Sequence, residues 1–547
     1  MNKIAQYLNE HILGEVTSSK AIREQFSRDG SVLTIMPDLV AHPRVTNDIR
    51  KIARFTWQLA EKGHIMPIIT RGGGSDQTGG AIGKGMIINT AAHLNNIIYL
   101  NTKSKDLFVH TQPGVNFGNI NDVLKSHGLI IPTFPTSYLF STIGGAVANN
   151  ATGVLSGKYG QTGDWVSRLE IVLANGDIIE TKRISKHDLD KKKGLQTFEG
   201  EIYRKIDGLI EDNQQIIDEK ISKNTRDNVG YPGIAKVKNR DGSFDLTPLF
   251  IGSQGTLGII SEIVLNATYY SADESIVVAV FDKPEVARDA ADELLSLKPE
   301  SLDLIDGRLF AKAENDYGKK FMFSNIESGT DDGAILFLSF HDFSDNARKH
   351  KVKQAIKKLS KFDTKIFTDK DYSMDELHAI RGISSLVLQP DDDNDSMPPL
   401  IDGASIPANR REEFLNALAA LAEKHHLELP VHIEWTSGVI RTRPLLQLHQ
   451  VSDKQKVFKL INDYAELVSR FGGSFAVESS EGRTKATAAY AQLDEGVESL
   501  YAQIRTVFDP FGTMNPGVKQ KTDLKTLINE LNSDYSLADF AKYSPKI

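Results

Sequence analysis

The stretch Arg71-Gly72-Gly73-Gly74-Ser75-Asp76-Gln77-Thr78-Gly79-Gly80 constrains the fold more than any other part of this sequence. It follows the apolar run Met66–Thr70, which reads as a strand, so the chain leaves a sheet directly into a segment almost without side chains. Glycine permits positive φ and a close backbone approach that a Cβ forbids. Successive N–H groups can then converge into a nest for phosphate oxygens. Arg71 adds a fixed positive charge and a bidentate fork. The Lys-Ser/Thr pair of a P-loop is missing, and no helical pattern follows, which excludes the GxGxxG dinucleotide fingerprint. Taken alone, a glycine-rich bend in a β structure is an equal alternative.

Two further segments shift the balance. Pro135-Thr136-Ser137-Tyr138 leads into Ser141, Thr142, Gly144, Gly145, Asn149 and Gly153, followed by Lys158-Tyr159-Gly160 and Asp164. The third is Gly252-Ser253-Gln254-Gly255-Thr256-Leu257-Gly258-Ile259-Ile260-Ser261. Three separated runs of small, donor-rich residues, each beside β-like sequence, suit an extended ligand with a diphosphate in its middle.

The surrounding sequence is that of an ordinary globular chain. Its 547 residues are 40% hydrophobic and 25% charged, enough for two to four domains. The formal net charge of −8 argues against a nucleic-acid partner. The absence of cysteine excludes disulfides, thiolate metal sites, cysteine-ligated iron–sulfur clusters and cysteine nucleophiles. Redox chemistry would therefore need an organic cofactor or a metal held by His and carboxylates. The start, Met1–Val16, reads as the beginning of an amphipathic helix, not a signal peptide, and no uninterrupted apolar run is long enough to span a membrane. A cytoplasmic location is expected, with peripheral membrane contact compatible.

Strands are expected at Ser31–Ile35, Met86–Asn89, Asn96–Leu100 and Leu107–Thr111. Two more, Ser167–Leu173 and Asp177–Thr181, are joined through the hairpin signal Asn175-Gly176. Thr46–Lys62 reads as an amphipathic helix with Ile49, Ile52, Ala53, Trp57 and Ala60 on one face, and Asn119–His127 as a helix closed by Gly128. A polar region from about Lys182 to Ser243 contains the charge run Lys186–Lys193, read as a solvated surface segment. The β pattern returns at Leu249–Ile251 and Gly258–Leu265. From Ser275 onward strands (Ser275–Phe281, Ala334–His341) alternate with helices (Glu285–Leu297, Asn346–Leu359), which predicts an α+β second domain. Asp391–Asp395 is expected to be a loop, Leu493–Phe508 a helix, and the last 28 residues polar and exposed.

The order Arg-Gly-Gly-Gly, Ser-Thr-Ile-Gly-Gly and Gly-Ser-Gln-Gly-Thr-Leu-Gly-Ile resembles the FAD-binding domain of the vanillyl-alcohol-oxidase superfamily. Within it, the chain resembles the FAD-linked oxidases that include D-lactate dehydrogenases and the glycolate oxidase flavoprotein subunit. That group usually has Glu where Gln254 stands. Phe508–Lys519 resembles the group's closing motif, and Gly472-Gly473-Ser474, Glu478 and Gly482-Arg483 its penultimate one. The resemblance covers about residues 15–520. It implies an α+β fold: a two-subdomain FAD-binding domain over 1–270 with a polar insertion at about 182–245, an α+β cap over 271–490, and a C-terminal helical segment, 491–547, returning to the first. It further implies that Arg71, Gly72, Gly73, Gly74, Ser75 and Gly79 hold the diphosphate. Pro135, Thr136, Ser137, Ser141, Thr142, Gly144, Gly145, Asn149 and Gly153 would line the flavin and ribityl chain. Gly255, Gly258, Ile260 and Asn515 would complete the site. Some relatives carry a His in the first glycine loop that bonds covalently to the flavin; here Gly74-Ser75-Asp76 has none, so FAD is expected to be non-covalent.

The second half departs from the pattern. Members acting on 2-hydroxy acids carry Gly-His-x-Gly-Asp-Gly-Asn-x-His and a Glu-His pair, which can bind a metal. Here the stretch Val431–Arg443 keeps only His432, and the later pair is Glu478-Ser479. One imidazole with carboxylates makes a poor transition-metal site, so no metal is expected. His432 and Glu434, two apart on a predicted strand, share a face, as do Arg441 and Arg443. Arginine could then grip an anionic substrate in place of a metal, with His432 or Glu478 as base. Arg381 resembles a substrate-carboxylate-binding Arg of the family.

The expected activity is oxidation of the CH–OH group of a small 2-hydroxy acid, such as D-lactate or glycolate, by hydride transfer to flavin N5. A sugar- or polyol-like alcohol is the enzymatic alternative. A flavin-binding protein that has lost hydroxy-acid catalysis is the alternative of another class. Expected partners are a small-molecule substrate and an electron acceptor (oxygen, a quinone or a protein), with a homo-oligomer compatible.

Overall fold

A computed structural model of the chain describes residues 3–103, 105–221, 226–310, 333–383 and 396–535. The expected loop Asp391–Asp395 and the last twelve residues lie outside the described residues.

Two sheets form the N-terminal half. In the first, Leu39–His42, Met86–Asn89 and Ile68–Arg71 run parallel, with Glu15–Thr17 antiparallel at one edge. The crossover between parallel strands is the helix Thr46–Glu61, which buries Ile49, Ile52, Ala53 and Ala60 as its periodicity requires. Trp57 sits at the margin of that face, edge-on to Phe511 at 4.8 Å. The second sheet is antiparallel in the order Ile97–Asn101, Phe108–Thr111, Ile259–Asn266, Val166–Val172, Ile178–Thr181. The last two form the hairpin expected at Asn175-Gly176, where Gly176 has φ +84°.

The third sheet has seven strands, all antiparallel: Lys365–Thr368, Glu274–Phe281, Ala334–His341, Ser301–Asp306, Val431–Glu434, Val439–Thr442 and Ala404–Ser405. Strand alternation decides what each face carries. Leu302, Leu304, Ile433 and Ile440 enter one core with the helices Pro284–Leu295, Arg411–His425 and Val451–Arg470. Asp303, His432, Glu434 and Arg441 point the other way. The helix Glu495–Phe508 packs in the core of the five-stranded sheet, with Phe508 edge-on to Phe250 at 5.4 Å.

Three local expectations are corrected. Ser31–Ile35 is no strand and makes only the isolated bridges Arg28↔Thr34 and Leu33↔Leu531. The Asp29 carboxylate accepts from the Ser31 N–H at 3.0 Å and its hydroxyl at 2.6 Å, and this local turn competes with a ladder. Leu249 and Phe250 belong not to a strand but to the short helix Thr247–Phe250, which ends at extended Ile251 and is started by Pro248 and by Asp245, which accepts from the Thr247 N–H at 2.8 Å. The polar region is helical: Lys186–Gly194, Phe198–Asp212 and Gln214–Lys220. The charge run is the first of these, exposed except for buried Leu189 and for half-buried Lys192 and Lys193, which pair with Glu199 and Asp207. The second buries Ile202, Tyr203, Ile206 and Ile210 on the five-stranded sheet's core.

Candidate functional site

A cavity of about 940 Å³ lies between the glycine-rich loops and the outward face of the seven-stranded sheet. The loops line it with Gly72, Gly73, Gly74, Ser75, Pro135, Thr136, Ser137, Ser141, Thr142, Gly144, Gly145, Asn149, Gly255, Gly258 and Ile260. The sheet and its loops contribute His432, Arg441, Arg443 and Glu478, and the end of the helix Met374–Arg381 contributes Arg381. The structure thus brings together all five candidate catalytic residues and most of the candidate cofactor residues.

The three loops are bonded to one another. Ser75 Oγ lies 2.9 Å from Ser141 Oγ, which lies 2.6 Å from Ser137 Oγ. Asn149 donates to Asp76 Oδ1 at 2.9 Å and accepts from Gln254 Nε2 at 2.9 Å. The second loop turns into the helix Ile143–Asn149, whose N-cap Thr142 accepts from the Gly145 N–H. Close approach demands glycine here. A Cβ on Gly72 would stand 2.0 Å from Thr142 Oγ1, and one on Gly74, at φ +76°, 2.2 Å from Arg71 Nη2.

Four expected cofactor residues stand behind the cavity wall. Arg71 is buried beneath the loop, its Nη1 donating to the Arg28 carbonyl at 2.6 Å and its guanidinium 5.2 Å from the Phe26 ring. Burial lowers its pKa to about 10, against the pull of Asp29 and Asp76. It lies beneath the loop and is not among the residues that line the cavity. Gly79 packs on Leu33 and Arg483. Gly153 lets the chain pass Phe134, whose carbonyl oxygen would be 1.8 Å from a Cβ. Asn515 donates to the carbonyls of Gly80 and Gln254, both at 2.8 Å, tying the first and third loops to the C-terminal segment.

On the opposite wall a single buried carboxylate lies between a guanidinium and an imidazole. Asp303 Oδ2 lies 2.8 Å from Arg381 Nε, and Asp303 Oδ1 lies 3.4 Å from His432 Nε2. Arg381 also donates to the Val154 carbonyl at 2.8 Å. Burial alone would raise Asp303, but Arg381 and His432 outweigh it and hold its pKa below the usual carboxylate range. Arg441, opposite His432 in the strand register, donates to Glu434 at 2.6 Å and Glu478 at 2.8 Å. Burial pushes the Glu478 carboxyl up despite Arg441. Arg443 donates to Asp402 Oδ2 at 2.6 Å and Gln77 at 3.3 Å. Asp303, Asp402 and Lys485 were not singled out from sequence. Asp303's signal was its position in the apolar strand Ser301–Asp306, where it shares a face with Ile305, the register partner of His432. Among the described residues no group of three His or carboxylate side chains is arranged to hold a metal. No helix there is long and apolar enough to cross a membrane.

Two family models match the chain. The FAD binding domain matches residues 37–182, and the C-terminal domain of FAD linked oxidases matches residues 271–518. The D-2-hydroxyglutarate dehydrogenase of Pantoea ananatis is 26% identical over 516 residues, 92% of this chain and 50% of the relative. The chain thus spans about half the length of the first relatives it matches. The glycolate oxidase subunit GlcD of Bacillus subtilis is 24% identical, covering 88% of both chains. The D-lactate dehydrogenase of Archaeoglobus fulgidus is 24% identical, covering 88% of this chain and 90% of the relative. Among solved structures, p-cresol methylhydroxylase superposes with a TM-score of 0.68 at 13% identity, covering 96% and 97% of the two chains. The 4-ethylphenol oxidase of Gulosibacter chungangensis gives 0.67 at 12% identity, covering 96% and 98%. The fold is α+β, of the vanillyl-alcohol-oxidase type.

FAD is the cofactor that these domains indicate, and the cavity fits it. Its volume is near the upper end of the range of roughly 300–1,000 Å³ for small-molecule sites. The loops leave room that only glycine leaves, and the buried Thr70 hydroxyl on the wall has no protein partner.

Proposed function

We propose that this chain, built from an FAD binding domain and an FAD-linked oxidase C-terminal domain, is an FAD-dependent oxidoreductase that oxidises the CH–OH group of a small 2-hydroxy acid. One observation carries the reading: a single carboxylate, Asp303, holds both a cation, Arg381, and an imidazole, His432, on the wall facing the glycine loops. A 2-hydroxy acid needs that pair, a fixed cation for its carboxylate and a base for its hydroxyl proton.

Gly72–Ser75 and the Ser141–Gly145 turn would hold the cofactor's phosphates and ribityl chain through backbone donors and hydroxyls. When bound, FAD supplies the two-electron acceptor for the substrate carbon. Arg381, fixed by Asp303 and the Val154 carbonyl, receives the substrate carboxylate. His432 takes the hydroxyl proton at its imidazole, and the charge on Asp303 stabilises the imidazolium that forms. Arg441 is matched by Glu434 and Glu478, so its first effect is to hold those carboxylates in place. Glu478, raised by burial, is the second base candidate. With no His in the first glycine loop, FAD is held there without a covalent bond, and acid denaturation is expected to release it.

The test is anaerobic addition of D-2-hydroxyglutarate, D-lactate and glycolate, then of sugars and polyols, to the purified protein. Bleaching of the flavin absorbance by a 2-hydroxy acid supports the proposal. Bleaching only by a sugar or polyol, or by none of the compounds, overturns it.

A further inference from the structure

The wall around Arg443 has no task in the reaction just described, yet it holds three buried polar atoms without a partner: Arg443 Nη1, Asp402 Oδ1 and Thr442 Oγ1. Asp402 and Arg443 are joined to each other through Asp402 Oδ2, at 2.6 Å. The contact from Arg443 Nη2 to Gln77 Oε1 at 3.3 Å sets the pair beside the first glycine loop. Lys485 is buried next to them, its Nζ donating to the Asp402 carbonyl oxygen and lying 4.8 Å from the Phe475 ring. All of these groups except Phe475 line the cavity.

A buried donor or acceptor left unmade costs about 1–3 kcal/mol, so this arrangement is built for a ligand. Its chemistry is specific. A guanidinium nitrogen asks for an acceptor, and the neighbouring carboxylate oxygen asks for a donor. A second substrate carboxylate or a phosphate could satisfy the first but not the second. An imide edge, one N–H flanked by two carbonyls, satisfies both. The isoalloxazine ring of FAD carries such an edge on its pyrimidine side, beside the position that gains negative charge on reduction.

We infer that Asp402 and Arg443 seat the imide edge of the flavin, and that Lys485 beside them favours its reduced form. This rests on FAD as the cofactor and not on the substrate assignment. Asp402 accepts from the imide N–H, and Arg443 Nη1 donates to an adjacent carbonyl. Arg443 is then a flavin-binding residue, separate in role from Arg381, and the cluster tunes the cofactor by charge near its pyrimidine ring.

The experiment compares FAD with 3-methyl-FAD, in which a methyl group replaces the imide hydrogen. The full-length protein is stripped of flavin and reloaded with each, and dissociation constants are read by fluorescence. Wild type is expected to hold FAD at least tenfold tighter than 3-methyl-FAD. Asp402→Ala should shrink that ratio to within threefold, by loss of FAD affinity alone. Equal affinities in wild type overturn the inference while leaving FAD in place; failure to retain either flavin overturns the cofactor assignment as well. If Asp402→Ala keeps the full ratio and only raises KM for the 2-hydroxy acid, the cluster belongs to the substrate and the inference fails. In the holoenzyme, Lys485→Met should weaken binding of reduced relative to oxidised flavin about tenfold, a fall of about 30 mV in the two-electron potential. An unchanged potential removes Lys485 from the account.

Discussion

The two walls of the cavity hold their shape by opposite means. The glycine-loop wall is built from backbone, hydroxyls and amides, and its close contacts are those a Cβ would destroy. The sheet wall is built from charge: Arg381, Arg441, Arg443 and Lys485 stand among Asp303, Asp402, Glu434 and Glu478, with His432 between. Backbone geometry tolerates almost any neighbouring chemistry but no added atom. Ion pairs tolerate small shifts in shape but not a change of charge, because a buried charge stripped of its partner is costly. Damage to the first wall should therefore appear as lost cofactor, and damage to the second at Asp303, Arg381 or His432 as lost rate with the cofactor retained.

The sharpest contrast comes from one substitution in the sheet wall and one directly behind the loop wall. His432→Ala should slow anaerobic flavin reduction by about 10²–10⁴-fold, the usual worth of a positioned base, with flavin content unchanged. An undiminished rate would move the base to Glu478 or elsewhere. Gly153→Ala drives a Cβ into the Phe134 carbonyl oxygen, and overpacking of this kind costs about 1–3 kcal/mol. Its flavin absorbance per protein should fall several-fold; full retention would show that this turn does not shape the cofactor site.

A pH experiment probes what lies behind the glycine loop. The Asp29 carboxyl is pushed up from 3.8 to about 7 by burial and by Asp76. A raised pKa contributes stability that is complete below about 3.8 and lost as pH rises through about 7. Asp29→Asn removes this dependence. Between pH 5.5 and 8.5 the variant should gain on wild type by about 2 kcal/mol, read from chemical denaturation at both pH values. A difference independent of pH would contradict the assignment. The smallest effect is expected far from both walls. Arg183→Ala breaks a contact to Asp241 in which both side chains are more than half exposed, worth less than about 0.5 kcal/mol, with flavin content and rate untouched. A larger loss would mean that the helical insertion communicates with the cavity.

The same contrast explains what could be read in the sequence. The glycine loops were legible because positive φ and close approach leave few alternatives to glycine, as at Gly74 and Gly255. The hairpin at Asn175-Gly176 and the helix Thr46–Glu61 were legible for equally local reasons. The sheet wall was legible only in part. His432, Arg441 and Glu478 stood out by residue type, but Asp303 lies 129 positions from His432 in the chain, and only the sheet register brings them together. Arg71 was placed by its charge on the cavity side, yet its contacts to Arg28 and Phe26 turn it beneath the loop. Ser31–Ile35 and Leu249–Ile251 have the apolar texture of strands, but the carboxylates of Asp29 and Asp245 close local turns that end the pattern.

The most direct test of the central claim is rapid-mixing reduction of the Asp303→Asn holoenzyme by a 2-hydroxy acid that reduces wild type. Because Asp303 contacts both His432, the proposed base, and Arg381, the proposed anchor, two quantities should change together. The limiting reduction rate should fall about 100-fold, and the apparent substrate dissociation constant should rise about tenfold, with FAD still bound. Wild-type values for both, with the flavin in place, would contradict the account of this wall.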